Sequence, residues 1–166
     1  SPSDSAAAIA QPNTDPAMAC GWGGSLRKMK EHGNPIIEGA EKESVVGKVF
    51  DVTSIPSSFG EENPALLAKF LKVTADMNAK YTSESDAMMG DIQKSAGMDL
   101  DGTKAVIGTF VFPTVAEQLS ADWMGGFVPK YLADSAASLE SDGKIKALSD
   151  YNAVVNSSYL EAASKM

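Results

Sequence analysis

Hydrophobic and polar positions follow two different patterns in the two parts of the chain. Over the first third, the apolar runs at residues 17–22, 35–38 and 49–55 have the length and composition of short buried strands. The run at 26–32, which Gly33 follows, has instead the pattern of a helix with its terminating glycine. Strands separated by a helix at this spacing predict a parallel α/β architecture.

Beyond Pro56 the spacing becomes that of helices. Asn63 and Pro64 favour a helix start, because asparagine caps helices and proline suits the first turn. The apolar face that follows is formed by Leu66, Leu67, Phe70, Leu71, Thr74, Met77 and Tyr81. Further helices are predicted from Ser85 to Gly97, from about 101 to 108, after the capping box Thr114-x-x-Glu117, from about 126 to 141, and after Asn156.

Composition excludes several classes of function. The 166 residues carry a formal net charge of -8, which argues against binding to nucleic acids or to anionic membranes. No apolar run approaches the ~20 residues of a membrane-spanning helix. Cys20 and His32 are the sole cysteine and histidine, so neither a metal site nor thiol catalysis is indicated. We therefore predict no metal, no cofactor and no enzymatic activity.

Asp51 lies in the middle of the apolar run 49–55. A strand of this composition is usually buried, and a buried carboxylate without a partner is costly. One interpretation is that Asp51 accepts hydrogen bonds from the ammonium group of a ligand. The alternative is a structural role, paired with Lys48 or with backbone donors.

Three further residues are candidates for ligand contact. Trp22 ends a predicted strand, where α/β sheets place ligands, and its indole face suits an ammonium group; the alternative is a core tryptophan. Gly23 begins a Gly-Gly-Ser turn before a helix, whose amides can hold an anion such as a sulfonate or can serve only as a turn. Phe112 precedes Pro113 in an extended stretch and reaches either a ligand or the core.

The order of these runs resembles periplasmic substrate-binding proteins of the taurine/nitrate/sulfonate transport class, and among them the taurine-binding branch. The matching residues are 17–22, Phe50-Asp51-Val52, Phe59 with Glu62-Asn63-Pro64 and Phe70, Phe112-Pro113-Thr114, residues 117–120, Gly143-Lys144-Ile145 and Asp150-Tyr151. The resemblance covers almost the whole chain but only the C-terminal half or so of a family member.

The resemblance implies an α/β fold, the two-lobed periplasmic binding protein fold of type II, present here incompletely and with a helix-rich C-terminal half. Residues 1–48 would belong to the second lobe, 49–56 would form the crossover hinge strand, and 57–166 the helical part of the first lobe. We expect the N-terminal sheet of the first lobe to lie outside this chain.

The function that the resemblance implies is solute binding in the periplasm for an ABC importer. A small sulfonate such as taurine would be captured between the lobes by Asp51, Trp22, Gly23 and Phe112, and delivered to a membrane permease. One alternative is an enzyme on the same fold, similar to the thiamine-pyrimidine synthases, although these depend on histidine and cysteine chemistry. Another is a helical domain that binds no solute and associates with itself.

Overall fold

The structure is a computed structural model that describes residues 1–12, 18–37, 41, 43–44 and 47–166. Its helices, in chain order, are α1 (Pro2–Ile9), α2 (Gly23–His32), α3 (Ser57–Glu62), α4 (Pro64–Ala96), α5 (Leu100–Ile107), α6 (Val115–Leu119), α7 (Phe127–Ser141), a 3-10 turn (Asn152–Val154) and α8 (Ser158–Ala163).

The predicted α/β fold is wrong, because none of the described residues belongs to a β-strand and the chain is therefore not an α/β two-lobed binding protein. Residues 18–22, 35–37 and 47–56 are irregular, while Ala17 and Glu38, the remaining ends of two predicted strands, lie outside the described residues. A strand is stable only when its backbone groups pair with a neighbouring strand, and propensity alone does not supply that neighbour.

The described chain divides into two compact units. The first comprises residues 1–53 and 88–111, and the second comprises residues 54–87 and 112–166. Helix α4 contributes to both. It is interrupted at Glu84, whose φ of -136° and ψ of 40° are not helical. The predicted helix start at Ser85 agrees with this boundary, because Ser85 begins the helical stretch that follows the kink.

The kink in α4 has a local cause in the sequence before it. Thr82 and Ser83 donate their hydroxyl hydrogens to the carbonyl oxygens of Asn78 and Ala79, at 3.0 and 3.2 Å. Hydroxyl groups that bond to the preceding turn in this way compete with the helical ladder and often bend helices.

In the first unit, α1 packs against α2, with Ala6 and Met29 buried. The cap of α1 is Ser1, whose hydroxyl accepts the Asp4 N–H at 3.3 Å. Helix α5 is capped by Asp99, which accepts the Gly102 N–H at 2.6 Å. The same carboxylate lies 3.6 Å from the Arg27 guanidinium and so links α5 to α2.

In the second unit, the buried apolar residues include Leu67, Val128 and Leu160. Close packing at Gly60 joins α3 to α8, since a Cβ at this position would lie 2.6 Å from the Tyr159 hydroxyl oxygen. The predicted helix over 126–141 is confirmed as α7. Gly143 follows it with a φ of +69°, a conformation that glycine adopts readily.

The capping box of α6 is confirmed. Glu117 donates its backbone N–H to the Thr114 hydroxyl at 3.3 Å, and its carboxylate accepts the Thr114 N–H at 2.7 Å and the Thr114 O–H at 2.8 Å. The two hydrogen bonds that the carboxylate accepts hold the pKa of the Glu117 carboxyl below its ordinary value. The bond from the Thr114 backbone N–H contributes more to this lowering of the pKa than the bond from the Thr114 hydroxyl. The ionised form of Glu117 is therefore the form that supports the helix start.

We expect that the contribution of the Asp99 cap to stability can be separated from the contribution of its ion pair with Arg27. Asp99→Ala should lower the free energy of unfolding by about 1 kcal/mol, the usual cost of losing an N-cap. Asp99→Asn keeps an acceptor for the Gly102 N–H but removes the charge, and should cost clearly less. Urea unfolding of the three proteins checks this; equal losses for both variants would assign the effect to the ion pair.

The lowered pKa of Glu117 gives a stability term that depends on pH. A carboxyl whose pKa is lower in the folded state stabilises the protein above its ordinary pKa, and the contribution disappears as the pH falls through the folded-state value. Glu117→Gln should therefore be less stable than the parent at pH 7, with the difference shrinking towards pH 3. Urea unfolding across this pH range tests the expectation, and a difference independent of pH would contradict it.

Candidate functional site

Asp51 is exposed and lies in the irregular segment that follows Gly47. Its carboxylate has no hydrogen bond or salt bridge with any residue that the structure describes, and Lys48, the proposed structural partner, forms no salt bridge with it. The prediction that Asp51 is buried and therefore needs a partner is wrong. A charge in open solvent is satisfied by water, so Asp51 is available to a solute but is not compelled to bind one.

Trp22 precedes α2 at the N-cap position, with φ -144° and ψ 169°. Its side chain is 71% exposed, so it is not a core tryptophan. The sequence predicted that Trp22 ends a strand, whereas the structure places it directly before a helix. An exposed indole is accessible to a cation, which is the chemistry that the sequence suggested for this residue.

Gly23 is the first residue of α2 and not part of a turn before it. Its φ of +58° lies in the left-handed region, and nothing lies within 4 Å of the place where a Cβ would stand. The glycine is therefore required by its backbone conformation and not by a close neighbour. No side chain caps the first turn of α2, so the amides of this turn remain available to an anion.

Phe112 belongs to the second unit, whereas Asp51, Trp22 and Gly23 belong to the first. Its half-buried ring meets Tyr81 edge to face, with the ring centroids 5.3 Å apart and an angle of 72° between the ring planes. This geometry is the preferred one for aromatic pairs in protein interiors. The contact accounts for Phe112 by packing, which was the alternative to ligand contact.

The first unit thus carries an accessible carboxylate at Asp51, an accessible indole at Trp22 and, at Gly23, a helix start without a side-chain cap. A carboxylate and an aromatic face attract an ammonium group, while backbone amides attract an anion. All of these groups are near or at the surface, where water and salt weaken each contact.

Sequence reasoning did not find a surface groove of about 410 Å³ in the second unit. The groove is lined by α7 and by the segment 147–152. Its size is within the range of small-molecule sites. Side chains of both charge signs, Lys130 and Asp150, line it, but each already has a partner within the chain.

The partners in this groove are specific. Lys130 donates to Asp134 one helical turn away. Asp150 accepts from the Asn152 side chain at 2.9 Å and from the Asn152 N–H at 2.8 Å, and these two bonds lower the pKa of its carboxyl. Tyr151 accepts the Leu148 N–H at 3.2 Å. The Asp-x-Asn spacing is a sequence signal for such a turn, and a solute in the groove would compete with these bonds.

Neither a metal centre nor a membrane-spanning helix is found in the part of the chain that the structure describes. No three or more His, Cys, Asp or Glu residues of this part are grouped so that they could hold a metal ion. None of its helices combines the length and the apolar character needed to cross a bilayer.

The chain was also compared with known proteins. No protein-family model, curated protein or solved structure matches it.

The exposure of Trp22 can be tested by fluorescence, because the chain has only one other tryptophan. Trp123 is half-buried and lies edge to face with Phe127, at 6.3 Å between ring centroids. We expect Trp22→Phe to remove the red-shifted emission that acrylamide quenches most readily, and Trp123→Phe to retain it. If the emission left in the Trp123→Phe protein is blue-shifted and protected from acrylamide, Trp22 is buried and this description of the site is wrong.

Proposed function

We propose that the chain serves as a solute-binding component of an ABC importer, which recognises small sulfonates of the taurine type in the periplasm and delivers them to a membrane permease. The order of matching runs along the sequence supports this proposal. The observation that carries it is the carboxylate of Asp51, which lies within the run Phe50-Asp51-Val52 and has no partner among the described residues.

The helical architecture changes how such recognition would work. Closure of two α/β lobes around the ligand is no longer part of the proposal. What remains is pairing of opposite charges at the two ends of a zwitterion. Asp51 and the indole of Trp22 would attract the ammonium group, and the first amides of α2, at Gly23, would attract the sulfonate.

Specificity in this arrangement comes from charge and not from enclosure. A solute with both charges gains contacts at both ends, whereas a plain alkanesulfonate gains only the anionic contact. Because the groups are exposed, we expect each contact to be modest and the affinity to fall as salt is added.

Two other functions were considered from the sequence. No observation supports an activity similar to that of the thiamine-pyrimidine synthases. Cys20 lies before α2 and His32 is the last residue of this helix, and both side chains are exposed. One observation supports a self-associating helical domain, which is an apolar stripe on the surface of α4.

The role of Asp51 predicts a difference between two ligands. Asp51→Asn should weaken binding of taurine at least about tenfold, because a charged partner of the ammonium is lost. It should change binding of ethanesulfonate, which has no ammonium group, very little. Isothermal titration calorimetry at low salt measures both affinities, and Asp91→Asn, which removes an exposed carboxylate of α4, is the matched control.

The same titrations distinguish two ways in which the proposal can fail. Equal losses for taurine and ethanesulfonate in Asp51→Asn would reject the contact with the ammonium group. Absence of binding of either sulfonate to the parent chain would reject the proposed function itself.

A further inference from the structure

The part of α4 that precedes its kink carries an apolar stripe on its outer surface. Leu66, Phe70, Val73 and Met77 are 55%, 52%, 61% and 46% exposed. Their spacing of four, three and four residues places them on one side of the helix, within a sector of about 60° at 100° per residue. Such a seam is the repeat by which two helices pack along their length.

The two flanks of this stripe are different. On one flank Leu67 is buried in the second unit, so nothing further can approach from that side. The other flank carries exposed charged side chains, among them Lys69 and Asp76, which are opposite in sign. A helix that packs on the stripe can therefore contact the charged flank, whereas the flank that carries Leu67 is closed to it.

Lys69 and Asp76 do not neutralise each other within one chain. They are seven residues apart, about 10 Å along the helix axis. Asp76 accepts from Lys72, at 2.6 and 2.7 Å for its two oxygens. A carboxylate has lone pairs for further donors, so it can also accept from a second lysine that approaches from outside.

We propose that this stripe is the interface through which two copies of the chain associate, with their α4 helices antiparallel. In this register Leu66 packs on Met77 of the second copy, and Phe70 packs on Val73 of the second copy. Lys69 then faces Asp76 of the second copy, and the two-fold axis repeats this ion pair.

The direction of the pairing follows from the flanks. In a parallel pair, the charged edge of one helix would face the edge of the other that carries Leu67, which is already buried in its own unit. The antiparallel pair instead brings together the two exposed, complementary edges. Four apolar side chains per copy form a small interface, so we expect exchange between monomer and dimer at micromolar concentrations.

This inference does not depend on sulfonate binding, and its test needs no ligand. Sedimentation equilibrium of the full chain should show a monomer–dimer equilibrium that depends on concentration. Phe70→Ser should weaken association at least tenfold. Val111→Ser, which removes an even more exposed apolar side chain in the first unit, should leave it unchanged and serves as the matched control.

Charge reversal tests the partner and the direction together. Lys69→Glu alone and Asp76→Lys alone should each weaken association, because each places like charges in contact. The double variant Lys69→Glu/Asp76→Lys should recover it, since the pair is restored between copies. Recovery would not be expected for a lipid surface or for an unrelated helical partner.

Three results would overturn the proposal. The first is a chain that remains monomeric at every concentration measured. The second is association that Phe70→Ser leaves intact. The third is a double variant that associates no better than the single variants.

A distance measurement separates the two directions independently of charge. A spin label at position 80, introduced as Lys80→Cys in a Cys20→Ser background, should lie about 25 Å from its copy in the antiparallel register, from a rise of 1.5 Å per residue. A parallel pair would bring the labels to about 10 Å, and that distance would contradict the proposal.

Discussion

The structure depends on how much apolar surface its helices bury against one another, because no described segment forms a sheet that could supply further burial. The buried apolar residues of the described chain are nine in number, and four of them are alanines. Alanine allows close approach but removes little surface from water. Many larger side chains consequently remain at the surface, including the stripe on α4 and the residues Trp22, Val49 and Val52. Exposed apolar patches of this kind usually have a partner or a ligand.

The helices could be predicted from the sequence because their signals are local. The capping box of Thr114 and Glu117 involves residues three positions apart, and Pro64, which suits the first turn of a helix, is the first residue of α4. The strands could not be predicted in the same way. The runs at 17–22 and 49–55 have the composition of strands, but a strand also needs a distant partner that composition does not reveal. The kink at Glu84 could be predicted only in part. Thr82 and Ser83 can be read from the sequence, but their hydrogen bonds to the preceding turn cannot.

The candidate site shows the same limit. Sequence reasoning selected Asp51, Trp22 and Gly23 by chemical type, and the structure leaves each of them accessible for that chemistry. It derived the role of Asp51 from burial, however, and burial is a property of the whole fold. The contact of Phe112 with Tyr81 could not be predicted from the sequence, because it joins residues that are 31 positions apart. The groove lined by Lys130 and Asp150 was missed because it depends on how the segment 147–152 folds back onto α7, which no local sequence signal specifies.

Burial between helices supports the described fold, and the backbone amides of residues 51–55 have no hydrogen-bond acceptor among the described residues. Hydrogen exchange measured by mass spectrometry tests this claim directly, since backbone amides without structural hydrogen bonds exchange rapidly. We expect the amides of residues 51–55 to exchange within seconds, while peptides from α7 and from the first part of α4 are protected for far longer. Protection of residues 51–55 comparable with that of α7 would reveal a paired strand and would contradict this interpretation.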